Sequence, residues 1–215
     1  MREPVGEYLR EQGEAVVQQL GCPPHLGGYV PGGDEATWYP NLWTWLVQDE
    51  AGPRVRSVLD VGCGEGHSTR FFREICPNTV GIDGTWQDSS IVQHDFTTGP
   101  WLGGWADINS ALRSGLWDLV WCCEFVEHVE ERYVPNFLET FKLAKHVLLT
   151  HAFPGQDGHH HVNCQPREYW VGALAAIGYG LDEELTTRTR NLAALNRSPW
   201  NHYVRSGLAF RRITC

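Results

Sequence analysis

The segment VLDVGCGEGHSTRFF, residues 58–72, joins an apolar run ending in an acid, Asp60, to three glycines at alternate positions, Gly62, Gly64 and Gly66, and then to a helical pattern. Glycines at such a junction let the backbone approach a ligand closely, and the first amides of the following helix favour an anionic group such as a carboxylate. In open α/β sheets ligands sit beyond the carboxyl ends of the strands, so the junction predicts a nucleotide-like ligand. A dinucleotide fingerprint would need its third glycine at the position of His67. Here it falls one residue early, at Gly66, which disfavours NAD.

The DxGxGxG spacing between a strand and a helix resembles motif I of the class I S-adenosylmethionine-dependent methyltransferases, and the resemblance extends over roughly residues 55–150. It implies a cofactor site built from Asp60, Gly62, Gly64 and Gly66, with Asp83 and Gly84 of VGIDG at the ribose. Asp95 and Phe96 of QHDF would take the adenine amino group and ring. Cys123 and Glu124, at the end of LWDLVWCC, would face the methionine part. A carboxylate at Asp83 suits the ribose because it accepts from two hydroxyls; an ordinary strand-end acid is the alternative, as a helix cap is for Asp95. The EH pair in EFVEHVEE is common in the branch related to ubiquinone and small-molecule methyltransferases. The family's chemistry is an in-line displacement at the sulfonium methyl, which asks the protein for alignment and, where needed, a base.

Four side chains are candidates for contact with the reacting atoms: Glu124, His128, His151 and His161. Imidazole near its ordinary pKa of about 6.5 is suited to a general base. His151 ends an apolar run and His159, His160 and His161 follow in a glycine-flanked loop, so four histidines are expected near the mouth of the site; a solvated loop is the alternative. If that loop is extended, His159 and His161 share one side. A metal reading uses the same histidines with Cys164 or Asp157, but no CxxC pair or HExxH helix supports it, and no metal is expected. Arg188, Arg190 and Arg197 are candidates for an anionic substrate group or else solvated.

The elements that must position these residues alternate. VRSVLDVG, TVGID, SIVQHDF, LWDLVWCC and HVLLTHAF read as strands, with helices at 66–76, 105–115 and 130–145 between them. Pro166 opens a further helix, a strand begins near Tyr179, and YVRSGLAFRRI closes the sheet; TRTRNLAALNRSPWNH between them is expected to cap one end. The fold class is α/β, a Rossmann-like doubly wound sheet of seven mostly parallel strands with an antiparallel C-terminal strand. Residues 1–54 are expected to form a helical N-terminal cap, with a helix over 1–20 (Val5, Leu9, Val16, Leu20) and another from Asp34 to Val47. Residues 55–215 form the cofactor-binding domain. Tyr29, Trp38, Tyr39 and Trp43 are candidates for an aromatic cover over the pocket, or for core.

Composition narrows the acceptor. With 17 lysines and arginines against 26 acids, the formal charge is −9, which lacks the basic footprint of a nucleic-acid binder. Seven scattered cysteines, an odd number, do not form a secreted disulfide framework, and no apolar run spans a bilayer; a cytoplasmic chain without membrane contacts is expected. The expected activity is therefore O- or N-methylation of a small molecule. A nucleic-acid or protein methyltransferase and a catalytically degenerate cofactor-binding module are the alternatives.

Overall fold

The structure is a computed structural model that describes residues 23–26, 30, 32–85, 90–103 and 117–213. The expected helices over 1–20 and 105–115, and Tyr29, lie outside the described residues. Seven strands, β1 (Val58–Val61), β2 (Thr79–Asp83), β3 (Ile91–Gln93), β4 (Trp117–Cys122), β5 (Ala144–Leu149), β6 (Tyr179–Leu181) and β7 (Leu208–Arg212), form one sheet in the order β3-β2-β1-β4-β5-β7-β6. β1 pairs in parallel with β2 and β4, β2 with β3 and β4 with β5, while β7 runs antiparallel to both β5 and β6.

Both faces are covered, and the two-residue period of the strands divides their side chains between two cores. Leu59, Val61, Val120 and Cys122 face one core with α3 (Val134–Phe141) and α4 (Arg167–Ala176), which contribute Phe137, Phe141, Trp170 and Leu174. Val58, Leu119, Trp121 and Leu148 face the other core with α1 (Pro40–Gln48), α2 (His67–Ile75), α5 (Glu183–Ala193) and α6 (His202–Ser206), which contribute Trp43, Phe72, Leu185 and Tyr203. The strand order turns back at β1, so the carboxyl ends of β1 and β4 flank the crevice where such sheets bind ligands.

Four local expectations change. Asp34 caps a single 3₁₀ turn, Glu35–Thr37, and α1 starts only at Pro40, because the residue before a proline is turned out of the helical region; Tyr39 has φ −126° and ψ 55°. The helix expected over 130–145 is a 3₁₀ turn, Glu131–Tyr133, followed by α3, and it stops early because β5 pairs with β4 from Ala144 onward. The first part of the segment expected to cap the sheet, up to Ala193, belongs to α5, started by Asp182, whose carboxylate accepts from Leu185 N; Leu185, Thr186, Thr189 and Ala193 form its buried stripe. In the last segment Tyr203–Ser206 is helical rather than extended, and β7 is inserted between β5 and β6, leaving β6 at the edge.

Candidate active site

A cavity of about 590 Å³ opens over the carboxyl ends of β1, β2 and β4, within the roughly 300–1,000 Å³ usual for small-molecule sites. Its floor is the turn after β1. Gly62, Gly64 and Gly66 all take left-handed backbone, φ +74°, +54° and +75°, which other residues adopt only at a cost. A Cβ on Gly62 would lie 2.4 Å from the Phe125 ring, and one on Gly66 2.5 Å from Ile91 Cδ1. Gly62 and Gly64 line the cavity; Gly66 lies behind it at the start of α2. Asp60 is buried beneath the turn, where Ser68 Oγ and Thr69 Oγ1 donate to its Oδ2 at 2.7 and 2.6 Å; burial outweighs these donors and pushes its carboxyl up to about 6.

Asp83 ends β2 and ties the turn down, accepting from Gly64 N at 2.9 Å and from Thr85 N and Oγ1 at 2.8 and 2.6 Å. After β3, Asp95 accepts from Thr97 N and meets His25 Nε2 at 2.9 Å. Burial alone would raise Asp95, but these partners outweigh it and hold the carboxyl below its usual range. Phe96 is buried beside Asp95, with ring centroids 5.6 Å from Phe125 and 4.8 Å from His94. Asp60, Asp83, Gly84, Asp95, Phe96, Cys123 and Glu124 all line the same cavity. Trp38 and Trp43 form part of its wall, whereas Tyr39 is core, bonded to Ala36 O and accepting from Tyr203 N at 3.0 Å.

Glu124, just past β4, has φ 51°, uncommon for a residue with a Cβ and worth about 1–3 kcal/mol of strain. Thr150 clamps it: Thr150 Oγ1 accepts from Glu124 N at 2.7 Å and donates to Glu124 Oε1 at 2.8 Å. Its other oxygen, Oε2, lies 3.0 Å from His202 Nδ1, and His202 Nε2 lies 3.4 Å from Asp34 Oδ2. Burial opposes a charged imidazole, but two carboxylates, one at each ring nitrogen, outweigh it and push His202 up to about 10. The same imidazolium holds Glu124 and Asp34 below their usual range against the effect of burial. His202 and Asp34 were not among the candidates read from the sequence.

The remaining wall is histidine. His128 and His161 line the cavity with ring centroids 5.2 Å apart. Burial first, and then His161, pushes His128 down to about 3, so it stays neutral. His161 Nδ1 lies 3.2 Å from Gln156 O, a carbonyl to which it can only donate. His159 lines the cavity as well and His160 does not, although the segment is a turn, with φ 49° at His160, rather than extended. His151 departs from expectation: it is 2% exposed, outside the lining, its amide donating to Ser206 Oγ and its ring 5.1 Å from Phe153. Cys123 is raised far above the ordinary thiol value by burial and by Glu124, so it is a neutral thiol. None of Arg188, Arg190 and Arg197 lines the cavity; Arg190 is spent on Gly207 O and Arg188 lies over Trp45.

A family model described as a methyltransferase domain matches residues 36–184. Among solved structures, the chain is similar to magnesium protoporphyrin IX methyltransferase (ChlM) from Synechocystis PCC 6803 with bound SAH, at 14% identity and a TM-score of 0.52, over 97% of this chain and 98% of that one. It is similar to PKMT2 from Rickettsia typhi at 10% identity and a TM-score of 0.50, over 83% of this chain and 53% of that one. Against the pyocyanin biosynthetic protein PhzM the figures are 12% and 0.45, over 80% and 54%. The chain thus spans about half the length of PKMT2 and PhzM. These likenesses are of fold. No curated protein matches the chain.

Proposed function

The chain belongs to the methyltransferase domain family and is a class I S-adenosylmethionine-dependent enzyme, and we propose that it methylates an oxygen or nitrogen of a small-molecule acceptor. One observation carries the acceptor class. Nine of the side chains lining the cavity are carboxylic acids, and among the described residues none is lysine or arginine. A nucleic-acid substrate calls for a basic track beside the site to neutralise phosphates.

The cavity's chemistry fits the cofactor. Its turn has no side chain at Gly62 or Gly64, two carboxylates at Asp83 and Asp95 suit hydroxyl and amino donors, and Phe96 supplies an aromatic face. The turn from Asp60 to Gly64 and the end of β4 would hold the methionine part, Asp83 the ribose, and Asp95 with Phe96 the adenine. When bound, S-adenosylmethionine supplies an electrophilic methyl group on a sulfonium. Against that, Trp38 and Trp43 shield one side from water, and the ionised Glu124, fixed by Thr150 and His202, presents a negative field toward the same region. The acceptor's reacting atom would sit against His128 and His161. His128, neutral across the physiological range, can accept or donate a hydrogen bond there but not hold a proton.

The test is transfer of label from methyl-labelled cofactor into a cell extract separated into low-molecular-mass, protein and nucleic-acid fractions. Label confined to the low-molecular-mass fraction supports the reading. Label in protein or nucleic acid, or in no fraction despite cofactor binding, overturns it.

A further inference from the structure

We propose that Asp34 and His202 position the Glu124 carboxylate to favour a cationic sulfur, so that the cavity prefers S-adenosylmethionine to its product S-adenosylhomocysteine. The inference rests on the methyl-transfer reading above. Glu124 follows β4 after a single residue, and Phe125 beside it packs closely on the turn after β1: a Cβ on Gly62 would lie 2.4 Å from the Phe125 ring. Glu124 therefore stands next to the turn assigned to the methionine part and lines the same cavity. Its neighbour in the lining, Cys123, is a neutral thiol, so the charge at this end of β4 is that of Glu124.

This carboxylate is fixed from several directions. Its backbone is left-handed, φ 51°, a conformation that a residue with a Cβ keeps only where its surroundings enforce it, and such residues cluster at ligand clamps. Thr150 Oγ1 donates to Oε1 at 2.8 Å, and His202 Nδ1 stands 3.0 Å from Oε2. His202 is held in turn. Asn201 starts α6 by accepting from Val204 N at 3.1 Å, Tyr203 N donates to Tyr39 Oη at 3.0 Å, and Asp34 Oδ2 lies 3.4 Å from His202 Nε2. With the imidazolium between two carboxylates, the three side chains present one net negative charge, and all three line the cavity.

A sulfonium is attracted to such a wall and a thioether is not. Methyl transfer joins the methyl carbon to the acceptor's electron pair and returns the S–C bonding pair to sulfur, which becomes a neutral thioether. The attraction to Glu124 is thus present with the cofactor and lost with the product. Cofactor and product share every other charged group, so the methylated sulfur is what the pocket can use to tell them apart. His202 acts through Glu124 and is a positioning residue rather than a catalytic one.

The experiment is calorimetric titration of the full chain with S-adenosylmethionine, S-adenosylhomocysteine and sinefungin, which carries an ammonium group in place of the methylsulfonium. In the parent both cationic ligands should bind roughly tenfold or more tighter than S-adenosylhomocysteine, the scale of one partly screened charge contact. Glu124→Gln and His202→Gln should each reduce that preference severalfold, with S-adenosylmethionine and sinefungin weakened and S-adenosylhomocysteine held. A merely structural role for these residues would weaken all three ligands alike. Should His202→Gln fail to fold, Glu124→Gln and Asp34→Asn, expected to shift the preference in the same direction, decide the matter. Equal affinity for the three ligands in the parent, or a preference that survives the substitutions undiminished, overturns this inference alone. Absence of binding by any of the three overturns the methyl-transfer reading and the inference with it.

Discussion

His202 Nδ1, at the start of α6, and Glu124 Oε2, just past β4, meet at 3.0 Å at the edge of the cavity, and the opposite ring nitrogen of His202 reaches Asp34 at 3.4 Å. One partly buried imidazolium therefore joins three segments far apart in the chain and fixes the acid just past β4.

This pairing makes stability pH-dependent. His202 has its pKa raised from 6.5 to about 10, so the stability it contributes is fully present below pH 6.5 and is lost as pH rises through about 10. Removing it takes the cation from between two carboxylates, Glu124 keeping only Thr150 Oγ1 and Asp34 only Ala36 N as donors among the described residues, so stability falls. Thermal melts of His202→Gln against the parent should show a large gap at pH 6 that narrows steadily toward pH 10; a gap constant over that range would count against the pairing.

Asp60 gives a slope of the same sign at lower pH. Its folded value of about 6 exceeds the ordinary 3.8, so the folded protein binds more protons than the unfolded chain in that window and loses stability as pH rises through it. Melting temperatures of Asp60→Asn should lack this decline between pH 4 and 6, and parallel curves for the two proteins would refute the assignment.

Thr150→Val removes the hydroxyl that both accepts from Glu124 N and donates to Glu124 Oε1. Hydrogen bonds to a charged group are worth about 1.5–3 kcal/mol, and the left-handed backbone at Glu124 loses its clamp. A fall of that size in denaturant-derived stability, with weaker cofactor binding, is expected.

Gly62→Ala combines unfavourable φ, about 1–2 kcal/mol, with a Cβ placed 2.4 Å from Phe125, which packs on Phe96. Cofactor affinity should fall at least tenfold, a fluorescence or calorimetric measurement.

The β1 to α2 junction was legible because everything it needs is local: an apolar strand, an acid, and glycines where left-handed backbone is required. The seven strands and the clustering of Asp83, Asp95, Phe96 and Glu124 followed from strand ends that a parallel sheet brings to one side. His202 was not legible, since its partners come from Asp34 and Glu124 and only the five-residue α6, hidden in what read as a strand lead-in, brings them together. The misplacement of His151 has the same origin: strand-end position does not say on which side of the sheet a side chain lies. Glu127 sat in plain view in EFVEH, but its full burial is a property of packing alone.

The central claim is that the cavity over β1, β2 and β4 is the cofactor site, and calorimetric titration with S-adenosylmethionine and S-adenosylhomocysteine, on the parent and on Asp83→Ala with NAD as control, tests it most directly. One site of micromolar affinity, abolished in Asp83→Ala, and no NAD binding are expected. Absence of binding to the parent, tighter binding of NAD, or affinity unchanged in Asp83→Ala would contradict it.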